Sequence, residues 1–590
     1  MHDKRPIVQG QKRPYEVRLL KRLAGFLRPY SLQFALSALL LLGISLLQPA
    51  GPYLVKIAID SYIMKGQPGG LRWIIVLYIA VLCLTCCLLY LQTYVTQVYG
   101  RKVVHDLRVR LFEHLQEMSL TFFDHSPIGS IVTTIVNDLE TVNAILTQAF
   151  AEILGDVLML AAIWTAMLLL DSRLACMTLA LLVPILVMTK LYRDKARTAY
   201  KNIRNGLSRI NSFIQENVSG MSTVQVFNRE QANFGAFDRI NKANRDEQLR
   251  SLTYAAVYFP LMELFSAAAI GLTIWYGGGE ALRGTMKLGV LIAFIQYVPR
   301  FFQPVRDLSQ KYNVMQSAMA SLENIVRLLD TQAEIRDPEK PVRVTADLKG
   351  EIEFRDVWFS YGLESPALKG VSFHLAPGER VAIVGATGAG KTSLINLLGR
   401  FYDVQGGGIF IDGIDVRHME KSFLRGHIGF VLQEPFLFSG DIEHNIRLGE
   451  ETMPSHRVYE AARNANAHGF IEKLPAGYRH ELRMRGSTLS LGQKQLISLA
   501  RVLALGRKLL VLDEALSSLD TESEILIANA IRRLIKGRTS IIIAHRLSTI
   551  RHVDRILVMH EGRIAEMGSH EELLSIGGIY SDLYRRQFRE

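Results

Sequence analysis

The sequence predicts an α-helical polytopic membrane domain followed by a C-terminal α/β domain. Three observations support this fold class. Six long apolar stretches lie before residue 310, short Val- and Ile-rich runs alternate with helical patterns in the last part of the chain, and a polar, proline-marked segment separates the two parts. At 590 residues the chain is too long for one hydrophobic core. A hydrophobic fraction of 49% beside 21% charged residues fits a membrane half joined to a water-exposed half.

The six apolar stretches are predicted to be transmembrane helices. Each has about the 20 residues that a bilayer-spanning helix needs. Core helices of a soluble protein are the weaker interpretation, because six such stretches occur and short loops join them in pairs. The stretches are 34–55, 73–95, 153–170, 174–192, 255–276 and 288–305.

Charge indicates the orientation of these helices. The links from the second to the third stretch and from the fourth to the fifth are long and rich in Lys and Arg. Positive loops stay in the cytoplasm, so we expect the long links and both chain ends there, with the helices extending beyond the bilayer. The same placement of charge explains the net charge of +12 without nucleic-acid binding. We expect a multi-pass protein of the inner (plasma) membrane.

The segment "GATGAGKT" (385–392) matches the P-loop pattern between a predicted strand, "RVAIV", and a predicted helix, "SLINLLG". Glycines let backbone N–H groups wrap a phosphate chain, and the helix N-terminus adds partial positive charge. A turn that only joins strand to helix is the weaker interpretation. Lys391 is expected to reach the β- and γ-phosphates of ATP, and the Thr392 hydroxyl to bind Mg²⁺. The predicted nucleotide-binding residues of this segment are Gly385, Thr387, Gly388, Ala389, Gly390, Lys391, Thr392 and Ser393.

A second segment, "KLLVLDEA" (508–515), is an apolar strand that ends in two acids. Asp513 is the expected carboxylate on the Mg²⁺ side. Glu514 is expected to orient or deprotonate the attacking water. The P-loop upstream disfavours the alternative that the two acids only cap the next helix.

Four further residues occur in a fixed order around these segments. Tyr361 lies about 25 residues before the P-loop and is expected to stack on adenine. Gln433 ends a strand and is expected to reach Mg²⁺ or water, Asp520 closes "SSLD", and His545 ends the strand "TSIIIAH", where a neutral imidazole can bind the γ-phosphate. Each residue alone is weak evidence, but the set in this order is specific.

These motifs together resemble the ATP-binding cassette (ABC) transporters, and specifically their half-size exporters, over about residues 15–585. The resemblance implies ATP hydrolysis that drives export by alternating access. It implies cytoplasmic coupling helices near 122–142 and 216–230. The implied organisation is an N-terminal segment with an interfacial helix (1–30), a six-helix transmembrane domain (31–325), a linker (326–346) and an α/β P-loop ATPase domain (347–590).

The resemblance also implies that "LSLGQ" (489–493) is the signature motif, which normally reads L-S-G-G-Q. In the family, two ATPase domains meet head to tail, and each signature closes over the ATP held by the P-loop of the other. Ser490, Gly492 and Gln493 are therefore implied to contact ATP bound to a partner chain. Asp520 is implied to cross the same interface.

Leu491 departs from this motif, because it replaces the first glycine of the signature, and Met484 stands where many exporters have glutamate. A branched side chain is expected to hold the phosphate away. The P-loop side of the chain is intact. This asymmetry resembles one half of the heterodimeric ABC exporters, in which one subunit keeps the catalytic glutamate and has a degenerate signature. We expect such a heterodimer; a homodimer that tolerates Leu491 is the alternative.

The substrate prediction rests on acidic residues within the apolar stretches. Glu263 lies in the fifth stretch, and Asp156 lies one helical turn from Glu152 on the third. Ionisable groups at membrane depth are costly and are therefore candidates for function. Facing a cavity, they favour hydrophobic or cationic small molecules; paired with basic residues, they are structural. The alternative functions are a lipid or lipid-linked flippase and, less favoured, an ATP-gated channel or regulatory subunit.

Overall fold

The structure is a computed structural model, and it describes residues 12–342, 348–362, 366–448, 450, 452–513, 521–544 and 552–588. The chain forms two compact units. The first comprises Met1–Gln116 and Ile128–Thr331, and the second comprises Glu117–Pro127 and Gln332–Glu590. We refer to them as the membrane unit and the ATPase unit. Glu117–Pro127 therefore packs with the ATPase unit, although both of its ends continue into the membrane unit.

The described part of the membrane unit consists of helices joined by short turns, with single turns of π-helix at 58–63, 134–138 and 145–149. Within the described residues, five helical stretches are long and apolar enough to cross a membrane, and they cover the first five predicted spans. The sixth predicted span, 288–305, forms the start of the helix Leu288–Asp330, whose side chains 305–310, 312 and 313 lie outside the described set. The helices are α1 (Lys12–Leu27), α2 (Ser31–Leu47), α3 (Ala50–Ile57), α4 (Pro68–Glu117), α5 (Leu120–His125), α6 (Ile128–Thr133), α7 (Leu139–Ala144), α8 (Phe150–Leu170), α9 (Ser172–Ala180), α10 (Leu182–Ser219), α11 (Met221–Val226), α12 (Glu230–Leu282) and α13 (Leu288–Asp330), of which α5 packs with the ATPase unit.

The first predicted span is interrupted between α2 and α3, at Gln48 and Pro49. Pro52 has no backbone N–H to donate to the Gln48 carbonyl four residues before it, whereas the Pro49 carbonyl accepts from the Tyr53 N–H at 3.2 Å. Side chains of α13 supply further donors to both carbonyls. The Tyr297 hydroxyl donates to the Pro49 carbonyl at 2.5 Å, and Arg300 donates to the Gln48 carbonyl at 3.2 Å. Neighbouring helices thus stabilise the break at membrane depth.

The ATPase unit is built on a six-stranded sheet and a four-stranded antiparallel sheet. The larger sheet has the order β12-β11-β3-β10-β9-β6 and is parallel except for its edge strand β12. Its central strands β9 and β10 are buried at every position, as the Val- and Ile-rich runs predict. The strands are β1 (Ile352–Phe359), β2 (Leu368–Leu375), β3 (Arg380–Gly385), β4 (Gly406–Ile411), β5 (Ile414–Asp415), β6 (Ile428–Val431), β7 (Gly440–Asp441), β8 (Glu481–Leu482), β9 (Leu509–Asp513), β10 (Thr539–Ile543), β11 (Arg555–His560) and β12 (Arg563–Gly568).

Helices cover the larger sheet, and hydrophobic clusters fill the space between them. One cluster lies around the helix Leu491–Leu505 and the other around the helix Lys391–Leu398. The helices of this unit are α14 (Lys391–Leu398), α15 (Lys421–His427), α16 (Ile442–Arg447), α17 (Ser455–Asn464), α18 (His468–Glu472), α19 (Leu491–Leu505), α20 (Thr521–Ile535), α21 (His570–Ile576) and α22 (Ile579–Phe588).

Candidate nucleotide site

Strand order brings the predicted nucleotide residues to one edge of the larger sheet. Strand β10 pairs in parallel with β3 on one side and β9 on the other. The P-loop follows β3, and Asp513 ends β9 opposite Ile543. Carboxyl ends of adjacent parallel strands meet at one edge, which is where α/β proteins bind ligands. Three predicted residues, Glu514, Asp520 and His545, lie outside the described residues.

The P-loop has the backbone that close phosphate contact requires. Gly388 and Gly390 have φ angles of 83° and 99°, and Gly385 has a φ of 155°. These conformations favour glycine. A Cβ atom at Gly385 would lie 2.3 Å from the Met559 carbonyl oxygen, and one at Gly390 would lie 2.6 Å from that of Ala367. Gly390 also precedes α14 without any side-chain cap, which leaves N–H groups of the first turn available to a ligand.

Lys391 is folded inward over this loop. Its side chain is buried, with 7% exposure, and Nζ donates to the carbonyls of Gly385 and Ala386 at 2.7 and 2.9 Å. Burial lowers the pKa of Lys391, and the nearby Asp513 carboxylate opposes this shift. Asp513 is itself 7% exposed. The ammonium and carboxylate thus share the edge of the sheet at which the predicted phosphates and Mg²⁺ would bind.

The other predicted residues of the nucleotide site differ in their exposure to solvent. Thr392 is exposed in the first turn of α14, where its hydroxyl can reach a ligand, whereas Ser393 is buried. Gln433, two residues beyond β6, is exposed. Of the remaining loop residues, Thr387 and Gly388 are exposed and Ala389 is buried.

Tyr361 follows β1 and stands against two aromatic rings. Its ring centroid lies 4.8 Å from that of Phe359 and 5.1 Å from that of Tyr402. Its hydroxyl accepts a hydrogen bond from Asn396 of the P-loop helix at 3.4 Å. The side chain remains 46% exposed, so part of its surface is open to an adenine ring.

The signature segment forms the N-terminus of α19. The Ser490 hydroxyl accepts a hydrogen bond from the Gln493 N–H at 3.2 Å, and the Gln493 side chain accepts one from the Ser490 N–H at 3.0 Å. This reciprocal pair is a capping box. Gly492 is buried, but Leu491, the first residue of the helix, is 41% exposed. The leucine therefore stands at the outer tip of the signature helix.

The acidic residues predicted to face substrate lie in two adjoining cavities of the membrane unit. Asp156 lines a cavity of about 330 Å³ and forms an ion pair with Lys311 at 2.5 Å. Glu152 lies 3.7 Å from the same ammonium. Glu263 lines a second cavity, of about 180 Å³. Arg300 and Gln303 line both cavities.

Comparison with known proteins identifies the family. Residues 34–305 match the model of the ABC transporter transmembrane region, and residues 368–517 match the model named ABC transporter. The ATP-dependent lipid A-core flippase of Syntrophus aciditrophicus is 34% identical over 572 residues, which are 97% of this chain and 95% of that protein. This chain belongs to the ABC transporter family.

Further relatives and a solved structure refine this assignment. The "Probable multidrug resistance ABC transporter ATP-binding/permease protein YheH" of Bacillus subtilis is 36% identical over 88% of this chain and 77% of its own length. A solved structure described as a bacterial Atm1-family ABC exporter with ATP bound matches with a TM-score of 0.79 and 29% identity, over 96% of this chain and all of that one. The chain is a half-size ABC exporter: a multi-pass membrane protein with a cytoplasmic ATPase domain that couples ATP hydrolysis to transport.

One partly buried residue of the exporter's signature helix was not predicted from the sequence. Arg501 donates through Nε to the Asn445 carbonyl at 2.8 Å and through Nη2 to the Phe436 carbonyl at 3.2 Å. Burial lowers its pKa to about 10. It therefore fixes α19 to the segment that follows Gln433. A lone arginine within the apolar run "LISLARVLAL" was the available indication, because a charge at a helix position facing the core needs partners.

Proposed function

We propose that the chain is one half of a heterodimeric exporter, and that it supplies the P-loop side of the site that hydrolyses ATP. The observation that carries the proposal is Leu491. The P-loop side has its glycines, Lys391 and Asp513 arranged around one sheet edge, whereas a leucine stands exposed at the tip of the signature helix. Exporters of this kind function as dimers, so each signature serves the other chain's P-loop. A leucine there would weaken the site of the partner and leave this chain's own site intact.

We assign the residues of the intact site as follows. Tyr361 stacks on adenine, Lys391 and the P-loop N–H groups bind the phosphates, and Thr392, Gln433 and Asp513 hold Mg²⁺. The donor set suits Mg²⁺, because hydroxyl, amide and carboxylate oxygens are its preferred protein ligands and Asp513 is a buried carboxylate. When bound, Mg²⁺ neutralises charge on the phosphates. Glu514 acts on the attacking water and His545 on the γ-phosphate; Ser490, Gly492, Gln493 and Asp520 face the nucleotide of the other chain.

The test is ATP hydrolysis by the full-length chain purified alone, with Glu514→Gln as the control. We expect negligible turnover by the chain alone. Turnover should appear on adding a second ABC exporter chain with an intact signature, and Glu514→Gln should abolish it. Robust turnover by the chain alone, abolished by Glu514→Gln, would instead establish a homodimer in which Leu491 is tolerated.

For the substrate, we propose hydrophobic or cationic small molecules, with a lipid flippase as the second candidate. Glu263 and Arg300 on one cavity wall, beside apolar Met262 and Phe302, favour an amphiphile. Asp156 contributes less, because Lys311 neutralises it. The lipid candidate is favoured by the relative named as a lipid A-core flippase. Stimulation of ATP hydrolysis by ethidium rather than by added lipid supports the first candidate, and the reverse supports the second.

A further inference from the structure

A cationic side chain, Arg300, lies within the predicted membrane span of α13. Its Cα lies about 18 Å along the helix from Leu288, at about 1.5 Å per residue. The hydrocarbon core of a bilayer is about 30 Å thick, so this position is well inside it. An ionisable group at such depth is costly, and it is a candidate for function unless a partner within the protein neutralises it.

Arg300 has one hydrogen bond and no ion pair among the described residues. Nη1 donates to the Gln48 carbonyl at 3.2 Å, and no carboxylate in the described part of the chain pairs with the guanidinium. A guanidinium carries several further N–H donors, and here they have no acceptor among the described residues. The side chain is half-buried, so these donors point into a restricted space of the membrane unit.

The bond to Gln48 does not by itself account for an arginine at this position. The Gln48 carbonyl lacks a helical partner because Pro52 has no N–H, and one neutral donor would satisfy it. The adjacent contact is made by a neutral group, since the Tyr297 hydroxyl donates to the Pro49 carbonyl. The charge and the remaining N–H groups of Arg300 therefore exceed what the break between α2 and α3 requires.

The larger cavity of the membrane unit has an uncompensated positive charge in its lining. Arg300 and Gln303, one helical turn apart on α13, line both the cavity of about 330 Å³ and that of about 180 Å³. Lys311 and Asp156 also line the larger cavity, but they form an ion pair with each other. Glu152, the second carboxylate near Lys311, is 53% exposed and does not line this cavity. Among the lining groups, Arg300 is therefore the charge without a counter-ion, and the larger cavity suits an anionic group.

The smaller cavity has a different lining and suits an apolar group. Ile185, Met262 and Phe302 line it, together with Glu263. The Glu263 carboxylate disfavours a second anionic group in this space. A ligand that occupies both cavities is thus expected to place its anionic group in the larger one and its apolar part in the smaller one.

We propose that Arg300 binds the anionic group, a carboxylate or a phosphate, of an amphiphilic substrate, with the Gln303 amide as a second donor. The inference rests on the proposed export of an amphiphile. Among the substrate candidates, it favours one that carries an anionic group over one that is purely cationic. A guanidinium holds a carboxylate or a phosphate through two parallel N–H···O bonds, which the single ammonium of a lysine does not reproduce.

The test compares two probes that share a ring system and differ in charge, 1-pyrenebutyrate and the neutral 1-pyrenebutanol. Each is titrated into the full-length chain in phosphatidylcholine nanodiscs, and saturable energy transfer from tryptophan to pyrene gives the dissociation constant. Trp164 is a suitable donor, because its ring centroid lies 6.2 Å from that of Phe301, the neighbour of Arg300. In the parent protein for these titrations, phenylalanine replaces the other tryptophans of the chain.

Arg300→Gln keeps a donor for the Gln48 carbonyl and removes the charge. We expect the affinity for 1-pyrenebutyrate to fall at least about tenfold, whereas that for 1-pyrenebutanol changes less than about twofold. Arg300→Lys keeps the charge without the paired donors, so it should lose about threefold for 1-pyrenebutyrate. Tyr297→Phe is the matched control, because it removes the other hydrogen bond from α13 to the break and no charge. It should bind both probes like the parent.

Three results would overturn the role of Arg300: an unchanged affinity of Arg300→Gln for 1-pyrenebutyrate, equal losses for the two probes, or the same loss in Tyr297→Phe. If Arg300→Gln does not fold, Arg300→Lys provides the same comparison. A parent that binds neither probe would refute the amphiphile proposal as well, whereas binding that is independent of Arg300 would refute only this inference. The heterodimer proposal is tested separately, because these titrations need no ATP turnover.

A second set of nanodiscs, made of phosphatidylglycerol, distinguishes a small amphiphile from a lipid as the source of the anionic group. If lipid phosphate occupies Arg300, the affinities of the parent and Arg300→Gln for 1-pyrenebutyrate should become equal to within about twofold in these nanodiscs. If a small amphiphile is the ligand, the difference should remain at about tenfold. Comparing the two proteins in the same lipid removes the general repulsion between the probe and an anionic bilayer. Either result supports anion binding by Arg300, provided that the difference is present in phosphatidylcholine.

Discussion

Two helices of the ATPase unit begin at predicted phosphate contacts, and their N-termini are built differently. Helix α14 begins after Gly390, which has a left-handed backbone and no side-chain cap. Helix α19 begins after Ser490, and a capping box occupies the N–H of its third residue. Open N–H groups allow α14 to bind an anion within one chain. In α19 the Ser490 hydroxyl already accepts from the Gln493 N–H, so fewer N–H groups of its first turn are open to an anion.

The side chains next to each N-terminus extend this contrast. Lys391, the first residue of α14, is folded inward and nearly inaccessible, whereas Leu491, the first residue of α19, is 41% exposed. A buried lysine in the loop suits a site that encloses its ligand. An exposed leucine at a tip suits a surface that meets another molecule. We therefore expect the N-terminus of α14 to bind its ligand within one chain and that of α19 to act on the nucleotide of a partner.

The largest expected effect tests the N-terminus of α14, which follows the P-loop glycines. Lys391→Met removes the only ammonium placed over the loop among the described residues, and we expect ATP turnover of the active pair to fall by about 10²–10³-fold. Phosphate release measures it. Lys473→Met, at an exposed lysine of the same unit, should leave turnover unchanged. A Lys391→Met variant that keeps more than about a tenth of the activity, a barrier change below 1.4 kcal/mol, would contradict the assignment of this loop.

The next largest effect tests the signature motif at the N-terminus of α19. Leu491→Gly restores the glycine expected in the motif, so turnover by the chain alone should rise about tenfold, equivalent to 1.4 kcal/mol of barrier. The double variant Leu491→Gly with Glu514→Gln should lose this gain, which shows that the new activity uses the same glutamate. If Leu491→Gly leaves the turnover of the chain alone unaltered, Leu491 is not the residue that weakens the signature motif.

The sequence predicts much of the difference between the two helix N-termini, because short local motifs determine it. The P-loop pattern, the acidic strand end and the order of strands predict an α/β domain with the nucleotide residues at one sheet edge, and the family match confirms the fold. Leu491 is equally visible as a departure from a motif. The roles of Glu514, Asp520 and His545 stay predictions, because these residues lie outside the described part.

Long-range partners could not be predicted in the same way. Asp156 carries no indication in the sequence that Lys311, 155 residues later, neutralises it. Arg300 and Gln48 are 252 residues apart, and no periodicity connects them. Such pairs depend on how elements pack, and a single sequence encodes packing only collectively. The connecting contacts of the site are therefore its least predictable part.

A smaller effect tests the backbone conformation of the P-loop at Gly385. In Gly385→Ala, the new Cβ would meet the Met559 carbonyl oxygen at 2.3 Å in a conformation that only glycine adopts readily. We expect a loss of about 2–3 kcal/mol of stability, which lowers the melting temperature of the unit by several degrees. Gly426→Ala, in a helix where a Cβ meets nothing within 4 Å, is the matched control and should not melt earlier. If the two variants melt at the same temperature, the Met559 carbonyl does not constrain the P-loop backbone at Gly385.

The smallest effect tests Ser490 as the N-cap of α19. Ser490→Ala removes the acceptor for the Gln493 N–H, so α19 should lose about 1 kcal/mol. For a unit of this size that corresponds to a fall of about 2–4 °C in melting temperature, measured on the full-length chain by scanning fluorimetry. Ser490→Asn supplies another capping oxygen and should restore the value to within about 1 °C. If Ser490→Ala melts like the unaltered chain, the bond from the Gln493 N–H to the Ser490 hydroxyl does not stabilise the N-terminus of α19.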